Sequence, residues 1–430
     1  MNRLILASEQ HKGDLLIIKD DLKEHFLLPE YDRYFCSREI NKCCFKIYHQ
    51  DGNFSIDSSY FIGVDWIIED KVSLYIEPKL NNECVQIDFL SMLMESLEAP
   101  ENFNHLDNLF NVDYDKSWIA VPQKKDLLTP ILIVQFLKLV HHIVKKGLKK
   151  SYYTVQANLT NKVKGKILIG RQIKENLSKN KLTSTVCEYQ EFGFNFQENQ
   201  FLKTVLQFVK TYIYRSSTYF STKQKEELTN ILSYCEPAFH NVDELSNKHL
   251  DIKISRNVFY KDYNEAIRIG RFILQQFSFN LSKVNGDISH TPPFWIDMSK
   301  LFELYVFKKL SQIFPGHDSV SYHDRFMGGK ETDILLKSSG YQAVVDCKYK
   351  PQYHRHNPSL EDKRQLAGYT RLKSVYDRLR KPYNEVIRGL IVFSHQDFPE
   401  VITQDDLFKS KIAEYIEFYK LGLGLPVIKQ

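Results

Sequence analysis

The sequence predicts a multidomain α+β protein whose three parts differ in the spacing of their apolar residues. The chain has 430 residues, enough for two or three domains with separate cores. Short β-branched and aromatic runs dominate the first third, helical spacing dominates the middle, and helices alternate with short strands in the last third. We therefore expect a β-rich N-terminal domain over residues 1–120, a mainly helical domain over 121–288 and an α/β domain over 289–430.

The composition excludes several classes of protein. The chain is 43% hydrophobic and carries a net charge of +5, unlike an intrinsically disordered chain. Its seven cysteines are scattered and form no Cys-x-x-Cys pair, so we expect neither a disulfide framework nor a zinc ribbon. Polar residues interrupt the most apolar stretch, 131–144, which is too short to span a membrane. We therefore expect a soluble cytoplasmic protein with no membrane partner.

Four short runs in the first hundred residues predict strands. They are rich in β-branched and aromatic residues, and turn residues such as those at 51–53 separate them. The four runs are 15–18, 45–48, 60–68 and 72–76. A small barrel or sandwich is the expected architecture. The acidic segment 98–115 is expected to be a connector.

Helices are predicted in the middle third, where apolar residues recur at helical spacing from about Thr129. Lysines near the end of this first helix suit the helix dipole. Further helices are expected at 200–214 and 223–234. In the last third we expect a helix at 294–314, strands at 332–336 and 342–348, a helix at 360–380 and a strand at 389–394.

Two carboxylates and a lysine in the last third form a candidate catalytic cluster. Strand side chains alternate, so Asp346 and Lys348 point to the same face of their strand. A hairpin over residues 337–340 would bring Asp333 to the same sheet edge. Two carboxylates with open positions suit Mg²⁺ or Mn²⁺, and a nearby lysine stabilises negative charge as a phosphodiester is hydrolysed. The alternative interpretation is a surface salt bridge.

Three flanking residues extend this candidate site. Glu303 lies on the preceding helix, where it could supply a further metal ligand or be a solvated helix residue. Gln365 and Tyr369 are four residues apart on the next helix and share one face. They could contact the metal site or a nucleic-acid phosphate together, or they could form a half-buried amphipathic face.

Basic residues are concentrated after the first strand of the cluster. Residues 346–385 contain ten Lys and Arg against five Asp and Glu. Positive charge beside a metal-type site suits a polyanionic substrate, although a solvated basic helix would have the same composition. The candidate DNA-binding residues are Lys350, Arg364, Arg371 and Lys373. His354 and His356 are candidate ligands, but phosphate contact or solvation is the favoured interpretation.

The cluster resembles the PD-(D/E)xK nuclease motif. Asp333 matches its first acid, and Asp346-Cys347-Lys348 matches its second half. Thr332 stands where the family often has proline, and Cys347 fills the variable position, so neither departure removes a catalytic group. Gln365-x-x-x-Tyr369 resembles the QxxxY motif of the RecB-like branch. The resemblance implies that the C-terminal α/β domain is a PD-(D/E)xK nuclease domain.

A narrower resemblance is to the McrC family, the endonuclease subunits of the McrBC-type modified-cytosine restriction systems. It rests on Ile296-Asp297-Met298-x-x-Leu301-Phe302-Glu303-x-x-Val306 followed by Asp346-Cys347-Lys348-Tyr349-Lys350. Two midchain stretches, 163–171 and 198–203, agree with that resemblance. Recognisable motifs thus cover about residues 163–394, whereas the N-terminal third matches only in being rich in strands.

The resemblance implies an endonuclease that cuts double-stranded DNA and depends on Mg²⁺, for which Mn²⁺ can substitute. The implied catalytic residues are Asp333, Asp346 and Lys348. The implied metal ligands are Asp333 and Asp346, with Glu303 as a further candidate. Glu303, Gln365 and Tyr369 would support the catalytic residues.

The resemblance also implies a partner, an AAA+ GTPase of the McrB type that recognises modified DNA and translocates it. In that family the nuclease subunit docks on the motor ring through its N-terminal part and stimulates GTP hydrolysis. The present sequence contains no G-x-x-x-x-G-K-[ST] loop, so any nucleotide-driven step must come from another chain.

Two other functions remain open at this point. One is a stand-alone RecB-like nuclease in DNA repair, against which the long portion ahead of the nuclease core weighs. The other is a mainly non-catalytic adaptor that activates a motor NTPase. The intact set of two aspartates and a lysine weighs against a decayed site, although both roles could coexist in one chain.

Overall fold

The computed structural model describes most of the chain. The described residues are 3–10, 12–16, 30–36, 41–50, 53–82, 85–96, 105, 109–113, 116–121, 128–215, 222–245, 261–282, 289–316, 318–326 and 329–428. The chain divides into two compact units. The first unit combines Met1–Asp126 with Asp287–Gln430, and the second is Leu127–Gly286.

The N-terminal part of the first unit is rich in strands, as predicted. Its strands are β1 (Arg3–Ser8), β2 (Lys12–Leu16), β3 (Glu30–Cys36), β4 (Asn41–Gln50), β5 (Asn53–Ser58), β6 (Phe61–Ile68), β7 (Val72–Glu77), β8 (Phe110–Val112) and β9 (Ile119–Val121). One helix, α1 (Phe89–Ser96), was not predicted. The expected run at 15–18 lies partly outside the described residues, as does most of the expected connector at 98–115.

A strand from the last third completes the N-terminal sheet. Strand β14 (Phe294–Asp297) pairs with β6 and β8 in a five-stranded sheet of order β1-β7-β6-β14-β8. A second sheet has the order β2-β5-β4-β3, and β13 (Ser289–Thr291) pairs with β9. The structure thus groups residues 1–120 and 289–430 in one unit, where the sequence predicts two domains. Every residue of β14 is buried, as expected for an inner strand.

Gly63 permits the close approach of β6 to β14. Its φ is +148°, and a Cβ built at this position would lie 1.9 Å from the carbonyl oxygen of Phe294. No side chain fits there, so glycine is required where the two strands meet. The core beside this contact contains Trp295, and the Trp295 indole donates to Asp65 Oδ2 at 3.3 Å.

The second unit is mainly helical, as predicted. Its helices are α2 (Leu128–Lys146), α3 (Ile169–Glu175), α4 (Gln197–Arg215), α5 (Thr222–Cys235) and α6 (Lys261–Ser282). It also contains an unpredicted antiparallel sheet of β10 (Ser151–Thr160), β12 (Ser184–Gly193) and β11 (Lys166–Ile167), in that order. The half-buried positions of β10 include Val155, Ala157 and Leu159, and the exposed positions between and after them carry Thr, Gln and Asn, so this strand does show the alternation of a half-buried sheet.

The C-terminal part of the first unit is an α/β arrangement. Its helices are α7 (Met298–Ile313), α8 (Leu360–Tyr369) and α9 (Lys373–Leu379). Its strands are β15 (Val320–Phe326), β16 (Lys330–Leu336), β17 (Ala343–Lys348), β18 (Arg388–Ser394) and β19 (Phe418–Leu423). They form a sheet in that order, with antiparallel pairing from β15 to β17 and parallel pairing from β17 to β19.

Two predicted helices need correction. The helix predicted at 294–314 is wrong in its first turn, because residues 294–297 form β14 and the helix begins only at Met298. Asp297 caps it by accepting a hydrogen bond from the Lys300 backbone at 3.1 Å. The helix predicted at 360–380 is two helices, α8 and α9, separated by a turn at 370–372. Strands β15 and β19 were not predicted.

Strand β17 lies at the centre of this sheet with cover on both faces. Helix α7 contacts it on one side, where the rings of Phe302 and Tyr349 have centroids 6.0 Å apart. On the other side, Val344 belongs to a buried cluster that includes Leu366 and Val375 of α8 and α9. Polar side chains on β17 are therefore held in a largely dry environment.

A helix that crosses a membrane must be both long and apolar. No helix within the described ranges has the length and apolar character needed to cross a membrane.

Candidate active site

The hairpin of β16 and β17 brings the two aspartates together. The antiparallel register pairs Ile334 with Val345, so the next positions outward, Asp333 and Asp346, are opposite each other. Opposite residues of an antiparallel pair project from the same face. Asp333 Oδ2 also accepts a hydrogen bond from the Cys347 backbone at 2.8 Å. The predicted hairpin is confirmed, and it places both carboxylates at one point of the sheet.

Asp346 is buried and only partly hydrogen-bonded. Its side chain is 1% exposed, and Oδ1 accepts from Lys348 Nζ at 2.9 Å. Oδ2 has no hydrogen-bond partner among the described residues. A buried carboxylate oxygen without a donor carries a large desolvation cost, so this atom is suited to a ligand.

Burial and like charge raise the pKa values of both aspartates. Burial raises the pKa of Asp346 to about 6, although the Lys348 ammonium opposes this rise. Burial, followed by the charges of Glu303 and Asp346, raises the pKa of Asp333 well above its ordinary value. Clustered carboxylates with such shifts are typical of functional sites, because a fold gains no stability from them.

Lys348 connects the aspartates to helix α8. Its ammonium lies 2.9 Å from Asp346 Oδ1 and 3.2 Å from Gln365 Oε1. Burial alone would lower the pKa of Lys348, but the Asp346 and Asp333 carboxylates raise it above its ordinary value. Gln365 Nε2 in turn donates to the Tyr369 hydroxyl at 3.4 Å. The structure therefore brings Gln365 to the cluster directly and Tyr369 through Gln365.

Glu303 faces the cluster from α7. Its carboxylate is 20% exposed, and Oε2 lies 3.2 Å from both the Tyr322 hydroxyl and His323 Nε2. Its charge is the second cause, after burial, of the raised pKa of Asp333. These contacts and its partial burial favour a place for Glu303 beside the aspartates over the alternative of a solvated helix residue.

His323 is a site residue that the sequence analysis missed. Its Nδ1 lies 3.2 Å from Glu331 Oε1, while its Nε2 faces Glu303. It has a φ of +51°, in the left-handed region that residues other than glycine rarely adopt. The conformation interrupts the pairing of β15 and turns the ring toward the carboxylates. No local sequence signal distinguishes this histidine from others.

The four candidate DNA-binding residues differ in their surroundings. Lys350 is half-buried and lies 2.7 Å from Asp362 Oδ2, so much of its charge is already compensated. The side chains of Arg364, Arg371 and Lys373 are exposed. The ammonium of Lys373 lies 5.3 Å from the centroid of the Tyr383 ring. The exposed residues are therefore the ones that remain accessible to a polyanion.

Two residues that follow N-terminal strands, Glu9 and Lys79, support the end of β17. The Lys79 ammonium donates to the carbonyl of Tyr349, the residue after Lys348, and lies 4.0 Å from the Tyr349 ring centroid. The backbone N–H of Lys79 donates to Glu9 Oε2 at 3.0 Å. Burial raises the pKa of Glu9 to about 8 and lowers that of Lys79 to about 8. The strands β1 and β7 thus help to position Lys348.

A family comparison defines the class of protein to which this fold and site belong. Residues 64–379 match the family model described as McrBC 5-methylcytosine restriction system component. The match covers most of the chain and all of the candidate site residues, so the chain is a restriction-system component. It belongs to the McrBC 5-methylcytosine restriction system component family, which confirms the resemblance found in the sequence.

Two solved structures from Thermococcus gammatolerans resemble the chain. One is a refined half-complex from a tetradecameric assembly of McrB AAA+ hexamers with bound McrC. It is 16% identical, covers 98% of this chain and 94% of that chain, and has a TM-score of 0.39. The other is a cryo-EM structure of the McrBC complex, 15% identical over 73% of this chain and 89% of that chain, with a TM-score of 0.27. No curated protein sequence matches the chain.

The raised pKa of Asp346 predicts a pH-dependent stability effect. The unfolded chain loses this proton near pH 3.8, whereas the folded protein holds it to about pH 6. Asp346 therefore makes wild type lose stability as pH rises through this interval, and Asp346→Asn lacks this contribution while it keeps that of Asp333. In EDTA, we expect the thermal unfolding midpoint of Asp346→Asn minus that of wild type to increase by at least roughly 2 °C between pH 4 and pH 7.

A matched control is Asp405→Asn, which changes an exposed aspartate. Its midpoint relative to wild type is expected to be independent of pH over the same range. The ion pair with Lys348 forms only as Asp346 ionises, so its contribution is already contained in the raised pKa of Asp346. A constant difference between Asp346→Asn and wild type would contradict the raised pKa.

Proposed function

We propose that this chain is the Mg²⁺-dependent DNA endonuclease subunit of a modification-dependent restriction system that acts in the cytoplasm. It cuts double-stranded DNA when docked on a McrB-like AAA+ GTPase, whose GTP hydrolysis it stimulates. One observation carries the proposal: the buried Asp346 carboxylate lies opposite Asp333 and within hydrogen-bond distance of Lys348, and one of its oxygens has no donor in the part of the chain that the structure describes. Family membership supports the restriction context.

The donor set at this site fits a hard divalent cation. Asp333, Asp346 and Glu303 are the residues that would hold Mg²⁺, or Mn²⁺ in its place, because all their ligand atoms are carboxylate oxygens. The orphaned oxygen of Asp346 and the like charges around Asp333 are both stabilised by a cation. When bound, such a metal activates water and stabilises charge on a phosphate.

The remaining residues of the cluster position one positive charge. Asp346 and Gln365 both accept from the Lys348 ammonium, which fixes its direction. Its pKa lies above the ordinary value, so Lys348 is fully protonated at neutral pH and acts as an electrostatic stabiliser of the developing charge rather than as a base. Tyr369 orients Gln365, and Lys79 holds the backbone that follows Lys348.

Exposed basic residues on the helices next to the site supply the attraction for DNA. Arg364, Arg371 and Lys373 belong to α8, the turn after it and α9, which cover the same face of the sheet as Lys348. Contacts with phosphates fix the position of a duplex without reading its sequence. Lys350 contributes less, because Asp362 already compensates its charge.

The partner is proposed on family membership and on the chain's own lack of a phosphate-binding loop. The chain contains no G-x-x-x-x-G-K-[ST] motif, so it cannot hydrolyse GTP by that means. Docking through the N-terminal strands remains our proposal. Because β14 is shared with those strands, we expect deletion of residues 1–120 to disrupt the first unit, and docking is better tested by point substitutions.

Asp333→Ala, Asp346→Ala and Lys348→Ala are each expected to lower DNA cleavage by at least about a hundredfold. Each removes either a carboxylate that would hold the cation or the charge that stabilises the phosphate. The assay uses plasmid DNA with and without 5-methylcytosine, Mg²⁺, GTP and a McrB-type AAA+ partner. The three variants are expected to stimulate GTP hydrolysis as wild type does, since docking does not use these side chains.

The control is Lys409→Ala, which removes an exposed lysine that pairs with Asp406 and is expected to leave cleavage unchanged. Full cleavage by Asp346→Ala would remove the site assignment. Cleavage by wild type without the AAA+ protein would favour a stand-alone nuclease. Stimulated GTP hydrolysis without any cleavage by wild type would favour the adaptor.

Combined substitution of Arg364, Arg371 and Lys373 by alanine is expected to weaken DNA binding and to reduce its salt dependence. Each lost phosphate contact lowers the slope of log Kd against log salt by about 0.9. The slope of the triple variant is therefore expected to be lower than that of wild type by roughly 2 to 3. Fluorescence anisotropy with a labelled duplex at several salt concentrations measures the slope. Double substitution of Lys409 and Lys411 is the control, and an unchanged slope in the triple variant would contradict the assignment.

A further inference from the structure

We propose that His354, His395 and Asp397 form a second divalent-metal site, distinct from the three-carboxylate cluster and selective for a borderline cation such as Zn²⁺ or Co²⁺. His354 ends a short 3₁₀ helix that follows β17, and His395 directly follows β18. These two strands are parallel neighbours, so their C-terminal ends lie side by side. A cation at this site would link the two ends.

The spacing of the ligand atoms fits one metal ion. His354 Nε2 lies 3.5 Å and His395 Nδ1 lies 3.6 Å from Asp397 Oδ2, and the three ligand atoms are all within 4.8 Å of one another. Bonds of about 2.0–2.2 Å to nitrogen and oxygen in a tetrahedral site separate neighbouring ligand atoms by about 3.3–3.5 Å. Two of the three separations are therefore already close to the required value.

The hydrogen bonding of His395 suits a ligand. Its Nδ1 accepts a hydrogen bond from the Asp397 backbone at 3.1 Å, so this nitrogen presents a lone pair toward the cluster. A metal needs neutral imidazole and would replace the backbone N–H as the partner of Nδ1.

The loop that carries Asp397 is held in place although the carboxylate itself is exposed. Its neighbour Phe398 packs edge-on against both imidazoles, with centroids 5.2 Å from His354 and 6.1 Å from His395. Gly422 of β19 and Gly424 just after it lie so close to Phe398 that a Cβ at either position would come within 2.3 Å of it. Packing thus orients both rings before any ion binds.

The ligand types separate this site from the candidate active site. Two imidazoles and one carboxylate suit Zn²⁺, Co²⁺ or Ni²⁺, whereas Mg²⁺ prefers oxygen donors only. Three protein ligands leave a fourth position for water or for an oxygen of a substrate phosphate. His356, two residues from His354, is exposed and is not part of the cluster, so it offers a matched control.

The test is equilibrium dialysis of the full-length protein against Zn²⁺ in excess Mg²⁺, which keeps the three-carboxylate cluster occupied. Wild type and His356→Ala are expected to bind one Zn²⁺. His354→Ala, His395→Ala and Asp397→Asn are expected to lose it, together with the visible absorption of bound Co²⁺. Asp397→Asn changes an exposed side chain, so it separates loss of binding from loss of fold.

Zn²⁺ is also expected to raise the thermal midpoint of wild type but not of His395→Ala, because the ion binds the folded state alone. Retention of one Zn²⁺ by His395→Ala, or no saturable binding by wild type, would overturn the proposal. These measurements do not involve DNA cleavage. Failure of the zinc proposal would therefore leave the proposed nuclease function untouched, and failure of the nuclease function would leave the zinc proposal untouched.

Discussion

The pairing of β16 with β17 is the constraint on which the candidate site depends. A shift of one residue in this register would move Asp333 away from Asp346 and turn it to the other face. The apolar residues Ile334, Leu335 and Leu336 resist such a shift because all three are buried. Hydrophobic pairing therefore holds two carboxylates together that would repel each other, and the rest of the site follows from their position.

The surrounding elements either compensate or increase this repulsion. Lys348 compensates it through a direct contact with Asp346, whereas Glu303 adds a third carboxylate. The arrangement costs stability in the protein alone, which is the usual sign of a site arranged for a ligand rather than for the fold. Lys79 and Glu9, from strands distant in sequence, hold the backbone next to Lys348.

Local patterns in the sequence predicted the parts of the site that local structure determines. Alternation along β17 placed Asp346 and Lys348 on one face, and helical spacing placed Gln365 beside Tyr369. Features that depend on contacts between distant segments were not predictable in this way: the insertion of β14 beside β6, and the support from Lys79. The orientation of His323 depends on a left-handed backbone conformation that no residue preference indicates.

The central claim is that the carboxylate cluster binds a divalent cation at the expense of protons. Isothermal titration of Mg²⁺ at pH 6, in two buffers of different ionisation enthalpy, tests it most directly. The raised pKa values of Asp333 and Asp346 predict that wild type releases protons as it binds Mg²⁺, and that Asp346→Asn binds more weakly with less release. Absence of Mg²⁺ binding by wild type, or equal binding by both proteins, would contradict the account.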